Sequence, residues 1–166
     1  MRAVSRGDLD AFNELVVLYQ ELAWRTAYRF LGDAMEAEDI AQESFLKILE
    51  AAPRYRPTST FRTYLYSVLI HLCIDRIRKK QPVRVDEFPD VADPSQGPEW
   101  SLIDKEQRSQ VRKALELLSS KQRAVLILRH FEGLSYNEIA RVLGATPKAV
   151  ERLLARARAS LQALLP

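Results

Sequence analysis

The sequence predicts an all-α protein built from two small helical domains. Three observations predict it. Apolar residues recur at helical spacing through nearly all of the 166 residues, there are only five glycines, and residues 81–100 interrupt the pattern with four of the eight prolines. The expected organisation is a helical domain over 1–80, an extended acidic linker over 81–100 and a second helical domain over 101–166. Charge divides the chain in the same way. Residues 1–80 hold 12 basic and 11 acidic residues, 81–100 hold 1 and 5, and 101–166 hold 12 and 6. The C-terminal third is therefore a basic unit on an acidic tether, the balance expected of a nucleic-acid binder.

Each element has its own punctuation. A first helix is expected over 9–31, capped by Asp8 and stopped by Gly32. Its stripe is Phe12, Leu15, Val16, Tyr19, Leu22, Ala23, Ala27 and Phe30. A second is expected over 35–51, with Asp33 and Glu36 as an approximate capping box and Pro53 beyond its end. A third starts near Ser59 and runs to about Lys80, with Leu65, Val68, Leu69, Leu72 and Ile77 as its core positions. The second domain should hold helices near 102–118 and 121–131, the latter opened by Ser119 and Gln122 and closed by Gly133.

Composition excludes several function classes. No run of about 18 apolar residues exists, so no membrane span is expected, and the N-terminal residues lack the apolar core of a signal peptide. The expectation is a cytoplasmic protein. Cys73 is the only cysteine and sits between Leu72 and Ile74, as a buried apolar residue would. His71 and His130 stand apart from any cluster with metal-ligand spacing. No Gly-rich phosphate loop or nucleophile–base pattern is present, so no enzyme activity and no cofactor are expected.

Residues 133–158 carry the sharpest motif. Ser135 and Glu138 form a capping box, and Ile139, Ala140 and Leu143 make an apolar stripe. Gly144 ends that helix, Thr146 caps the next and Pro147 begins it. This is the punctuation of a helix-turn-helix, whose second helix enters the DNA major groove. Spacing alone fits an ordinary helical hairpin equally well. Charge favours DNA, because the second helix carries Lys148, Arg152, Arg156 and Arg158 against one acid, Glu151.

Two further patterns lie in the N-terminal domain. Asp39, Gln42, Glu43 and Leu46 share one face of the second helix, opposite Ile40, Ala41, Phe45 and Ile48. Such a face suits a basic partner helix, although taken alone it fits a solvated surface better. Around the start of the third helix, aromatics interleave with cations: Arg54, Tyr55, Arg56, Phe61, Arg62 and Tyr64. Rings that stack on bases and arginines that hold phosphates suit single-stranded DNA. Arg76, Arg78, Lys79 and Lys80 extend the basic character to the helix end.

The whole chain resembles a bacterial RNA polymerase sigma factor of the extracytoplasmic-function (ECF) group of the sigma-70 family. The matching motifs are Ala-Glu-Asp-Ile-Ala-Gln-Glu-Ser-Phe-Leu at 37–46, Phe-Arg-Thr-Tyr-Leu at 61–65, Ile-Asp-Arg-Ile-Arg at 74–78 and Gly-Leu-Ser-Tyr-Asn-Glu-Ile-Ala at 133–140, continuing to Arg-Ala-Arg at 156–158. Their order and separations carry the resemblance, and the length leaves room for regions 2 and 4 alone. The resemblance implies that Asp39, Gln42, Glu43 and Leu46 bind the clamp helices of the polymerase β′ subunit. It implies that Arg54, Tyr55, Arg56, Ser59, Phe61 and Arg62 form a loop capturing a flipped base of the −10 element. Tyr64, His71, Arg76, Arg78, Lys79 and Lys80 would contact the same melted DNA. Ser135, Thr146, Lys148, Ala149, Arg152, Arg156 and Arg158 would hold duplex −35 DNA while the domain packs on the β flap. The linker would thread near the RNA path, and an anti-sigma factor is an implied partner. The chain has Tyr64 where many relatives have Trp, His71 where many have Asn, and Ala149, Glu151 and Leu153 where relatives often have Thr, Lys and Arg. A stand-alone helix-turn-helix regulator would explain residues 133–158 but not the acidic helix or the aromatic–basic loop.

Overall fold

The computed structural model describes residues 1–80 and 105–165, with side chains up to 80 and from 109 onward. The expected linker over 81–100 lies outside the described residues. The described residues are mostly helical and hold no strand. The chain divides into two compact units, Met1–Asp75 and Arg76–Pro166.

In the first unit, α1 (Leu9–Leu31) begins where the Asp8 carboxylate accepts the Ala11 N–H at 2.9 Å. It ends at Gly32, whose φ of 75° only glycine adopts without strain. After a two-residue turn, Asp33 caps α2 (Ala34–Ala51) by accepting the Glu36 N–H at 2.9 Å. α1 and α2 pack on each other. The interface draws on Ala23, Ala27 and Phe30 of α1 and on Ala37, Ile40, Ala41, Phe45 and Ile48 of α2, all buried. Phe12, Leu15, Val16, Tyr19 and Leu22 are only half-covered, so the N-terminal half of the α1 stripe is not core.

The third helix, α3 (Phe61–Lys80), starts two residues later than expected. Thr60 rather than Ser59 is its cap: its hydroxyl accepts the Thr63 N–H at 3.2 Å. Its core face also differs from expectation. Leu65 and Leu69 are buried, but Val68, Leu72 and Ile77 are half-exposed, and Tyr66, Ile70, Cys73 and Ile74 are buried instead. Apolar residues surround α3 almost completely between 64 and 74, so periodicity could not choose its face.

In the second unit, α4 covers Lys105–Leu117 and α5 covers Ser120–Leu126. The predicted single helix over 121–131 is in fact α5 followed by one widened π-turn, Ile127–Phe131. Glu132 N–H reaches back to Ile127 O at 3.1 Å and Leu134 N–H to Leu128 O at 3.0 Å, with Gly133 at φ 69° closing the turn. Then come α6 (Tyr136–Leu143) and α7 (Pro147–Leu164). α6 buries Ile139, Ala140 and Val142, whereas Leu143 is half-exposed. The stripe shifts because α6 is covered from two sides, by α7 and by the π-turn.

Candidate polymerase and nucleic-acid interfaces

The acidic face of α2 is formed as its spacing requires. Asp39, Gln42 and Leu46 are exposed and Glu43 is half-exposed, on the side away from the buried Ile40, Ser44 and Ile48. Gln42 donates to the Glu38 carboxylate at 3.0 Å, which orients its amide along the helix. Beside this face runs a groove of about 600 Å³ between α1 and α2. Phe12, Val16 and Trp24 wall it on α1, and Ala41, Phe45 and Leu46 on α2. Gln20, Glu21, Glu38 and Gln42 complete its polar lining. Gln42 and Leu46 belong to both the groove and the acidic face. An apolar floor with acids at its edge fits an amphipathic helix bearing cations. The α1 wall was not among the residues predicted as binding. Its sequence signal is an apolar stripe wider than one packed neighbour needs, reaching round to Trp24, whose ring stacks on Tyr28 at 5.2 Å.

The segment between α2 and α3 brings the expected aromatics together. The Tyr55 and Tyr64 rings lie 5.1 Å apart, Phe61 and Tyr64 6.4 Å, and Phe61 meets Tyr19 of α1 edge-on at 4.9 Å. Tyr55, Phe61 and Tyr64 are half-exposed, so each has an anchored edge and a free one. Burial and the neighbouring Tyr55 push the Tyr64 hydroxyl above its ordinary 10.0, so it remains a neutral donor. Arg54, Arg56 and Arg62 are exposed around this cluster, and Ser59 is half-exposed. Further along α3, His71 is exposed, with Nδ1 2.6 Å from the Ser67 carbonyl. Against a carbonyl that nitrogen must donate, which leaves Nε2 as the outward atom. Arg78, Lys79 and Lys80 are exposed at the helix end, and Arg76 is half-covered.

In the second unit the predicted helix-turn-helix is present. Ser135 N–H donates to the Glu138 carboxylate at 2.7 Å, and Glu138 N–H to the Ser135 hydroxyl at 3.2 Å, so the capping box is reciprocal. Gly144 has φ 63°, and the Thr146 hydroxyl accepts the Ala149 N–H at 3.2 Å to open α7. Val150, Leu154, Ala157 and Leu161 of α7 are buried. Lys148, Arg152 and Arg156 lie on its exposed side, with Ala149 at the edge. Among the described residues neither the Lys148 nor the Arg152 side chain has an ion pair or hydrogen bond.

Arg158 belongs to a different environment. It lies roughly 160° around the helix from Arg156. It is half-covered, and its Nε is buried without a hydrogen-bond partner among the described residues. It lies close enough to His130 of the π-turn to help lower the imidazole pKa below 6.5, after desolvation and together with Arg129. Arg129 in turn donates to the Leu134 carbonyl at 2.9 Å and sits over the Tyr136 ring at 5.2 Å, tying the π-turn to the start of α6.

These two units match two known families of domain. Residues 15–83 match Sigma-70 region 2, and residues 108–161 match Sigma-70, region 4. The chain is 30% identical to the ECF RNA polymerase sigma factor SigW of Bacillus subtilis (strain 168), over 98% of this chain and 92% of that one. It is 34% identical to the RNA polymerase sigma-H factor of Pseudomonas aeruginosa, over 98% and 90%. Among solved structures, that of CnrH in complex with the cytosolic domain of CnrY is similar with a TM-score of 0.69 at 26% identity, covering 97% of this chain and 91% of that one. The sigma factor RpoE crystallised with the anti-sigma factor NepR from Bartonella quintana shares the fold, with a TM-score of 0.68 at 22% identity over 93% and 96%. No helix among the described residues is long and apolar enough to cross a membrane. With its region 2 and region 4 matches and its ECF relatives, the chain belongs to the ECF group of the sigma-70 family, promoter-specificity subunits of RNA polymerase rather than enzymes.

Proposed function

We propose that this sigma factor docks on core RNA polymerase through α2 and the adjoining groove, grips −35 duplex with α7 and holds the opened −10 strand with the aromatic–cation segment. The observation that carries the reading is the arrangement of α7: Val150, Leu154 and Ala157 are buried while Lys148, Arg152 and Arg156 remain on the open side. A helix with one face committed to its core and a cationic opposite face, entered through a capped three-residue turn, is suited to the major groove.

Asp39, Gln42, Glu43 and Leu46 are the proposed contacts for the β′ clamp helices, with Phe12, Val16 and Trp24 as the second wall. Tyr55, Phe61 and Tyr64 offer stacking surfaces for unpaired bases. Arg54, Arg56, Arg62, Arg76, Arg78, Lys79 and Lys80 offer cations for the strand phosphates, with Ser59 and His71 as polar contacts. Ser135, Thr146 and Ala149 lie at the starts of the two helices that would approach −35 DNA. The position of Arg158 suits a phosphate on that flank or the support of His130 rather than the base-reading face. The region 4 unit would rest on the β flap. An anti-sigma partner is supported by the CnrH relative, solved with the cytosolic domain of another protein. Work at the polymerase places the protein in the cytoplasm.

The test is competition between the purified chain and a housekeeping sigma factor for bacterial core polymerase. Tight, competitive, one-to-one binding is expected, with promoter binding dependent on core. Duplex binding by the chain alone, without core binding, would replace this reading with a stand-alone regulator.

A further inference from the structure

We propose that Tyr66 is a positioning residue that fixes Arg62 for contact with the melted DNA strand, an inference that rests on the −10 reading above. Tyr66 is fully buried in α3, where phenylalanine would fill the same volume. The hydroxyl therefore needs a reason beyond packing. It accepts hydrogen bonds from Nε and Nη2 of Arg62, one helical turn earlier, at 3.3 and 3.2 Å. The guanidinium carbon lies 5.4 Å from the same ring's centroid. Arg62 itself is exposed. A long surface side chain is thus tied along one edge to a buried, immobile ring.

The chemistry of the two partners explains what this achieves. An exposed arginine samples many rotamers, and ordering it on a ligand costs free energy at the moment of binding. A buried tyrosine has two torsions, both locked by packing. Two bonds from one edge of the guanidinium to one oxygen, with the cation also beside the same ring, tether the group and narrow the directions it samples. The neighbours make the direction useful. Phe61 precedes Arg62, and Tyr64 follows two residues later; their ring centroids are 6.4 Å apart. A strand whose bases stack on these rings has its phosphates within reach of a guanidinium already oriented. A bond from an exposed arginine adds little to folding, so the hydroxyl should register in DNA binding more than in stability.

The experiment uses full-length chain assembled with bacterial core polymerase. The probe is a fork-junction DNA whose single-stranded segment is the −10 sequence selected by the wild-type holoenzyme from a randomised pool. Tyr66→Phe, Arg62→Ala and the double variant are compared for fork binding, duplex −35 binding, core competition and thermal midpoint. Tyr66→Phe is expected to weaken fork binding about three- to ten-fold, the cost of ordering one long side chain. Duplex binding and core competition should remain as in the wild type. Arg62→Ala should lose more, and the double variant should match Arg62→Ala, since the hydroxyl then has nothing to orient. Wild-type fork binding by Tyr66→Phe alongside weakened Arg62→Ala overturns the positioning role and leaves the −10 reading intact. Additive losses overturn it too. Wild-type fork binding by Arg62→Ala removes Arg62 from the −10 contacts and the proposal with it. Should Tyr66→Phe lower the thermal midpoint, Arg62→Lys decides from the exposed side. It keeps the charge but loses the planar edge, so a loss like that of Tyr66→Phe is expected, and wild-type binding refutes the proposal.

Discussion

Replacing Leu46 by alanine isolates the proposed polymerase contact from folding. Leu46 is 59% exposed, on the rim shared by the acidic face and the α1–α2 groove. Truncation there opens no internal cavity, and alanine is at least as good a helix former as leucine, so the thermal midpoint should hold. Complete burial of a leucine side chain is worth about 1.5–3 kcal/mol. If a partner helix covers the 59% now open, the share at stake is about 1–2 kcal/mol, and core polymerase affinity should fall about five- to twenty-fold. The assay is displacement of a labelled housekeeping sigma factor from core by wild-type and variant chains, with a thermal melt of each. An unchanged displacement curve with an unchanged melt would mean that Leu46 stays in solvent in the holoenzyme, and the groove would no longer be the docking surface.

Three other outcomes are expected. Arg152→Ala should weaken −35 duplex binding in the holoenzyme by about 1–3 kcal/mol if the guanidinium reads a base edge, and equal affinity in a filter or anisotropy titration would take it off the contact surface. Ser135→Ala removes the hydroxyl that accepts the Glu138 N–H; the C-terminal unit should lose about 1 kcal/mol and melt about 4–8 °C lower, and an unaltered melt would show the cap to be redundant. His130 has a folded-state pKa below 6.5 because of desolvation and the charges of Arg158 and Arg129. The native state then binds fewer protons than the unfolded chain, so stability present above pH 6.5 is lost as pH falls through the folded value. Urea unfolding should show this loss, His130→Gln should flatten it, and an imidazole titrating at or above the ordinary value by NMR would contradict it.

Much of the candidate site was legible because its signals are local. The capping boxes at Ser119 and Ser135, the left-handed Gly144 and the Thr146–Pro147 start are each read from a few neighbouring residues, and all stand as expected. The acidic face of α2 followed from helical spacing alone. Long-range features were not legible in the same way. The groove wall on α1 needed a second helix beside it, and the partial burial of Arg158 next to His130 depends on the π-turn packing against α7.

What the sequence determined by itself, then, is the all-α class, the helix ends marked by a cap or a left-handed glycine, the helix-turn-helix and the basic character of its second helix, since caps, glycines and periodicity act within a turn or two of chain. Only the tertiary structure decided which side of the almost wholly apolar α3 is core, where the helix after Ser119 widens into a π-turn, and that Tyr66 and Arg62 join across the boundary between core and surface. Those outcomes depend on which neighbours arrive to cover a surface, and burial is set by the whole packed unit rather than by the order of residues along one helix.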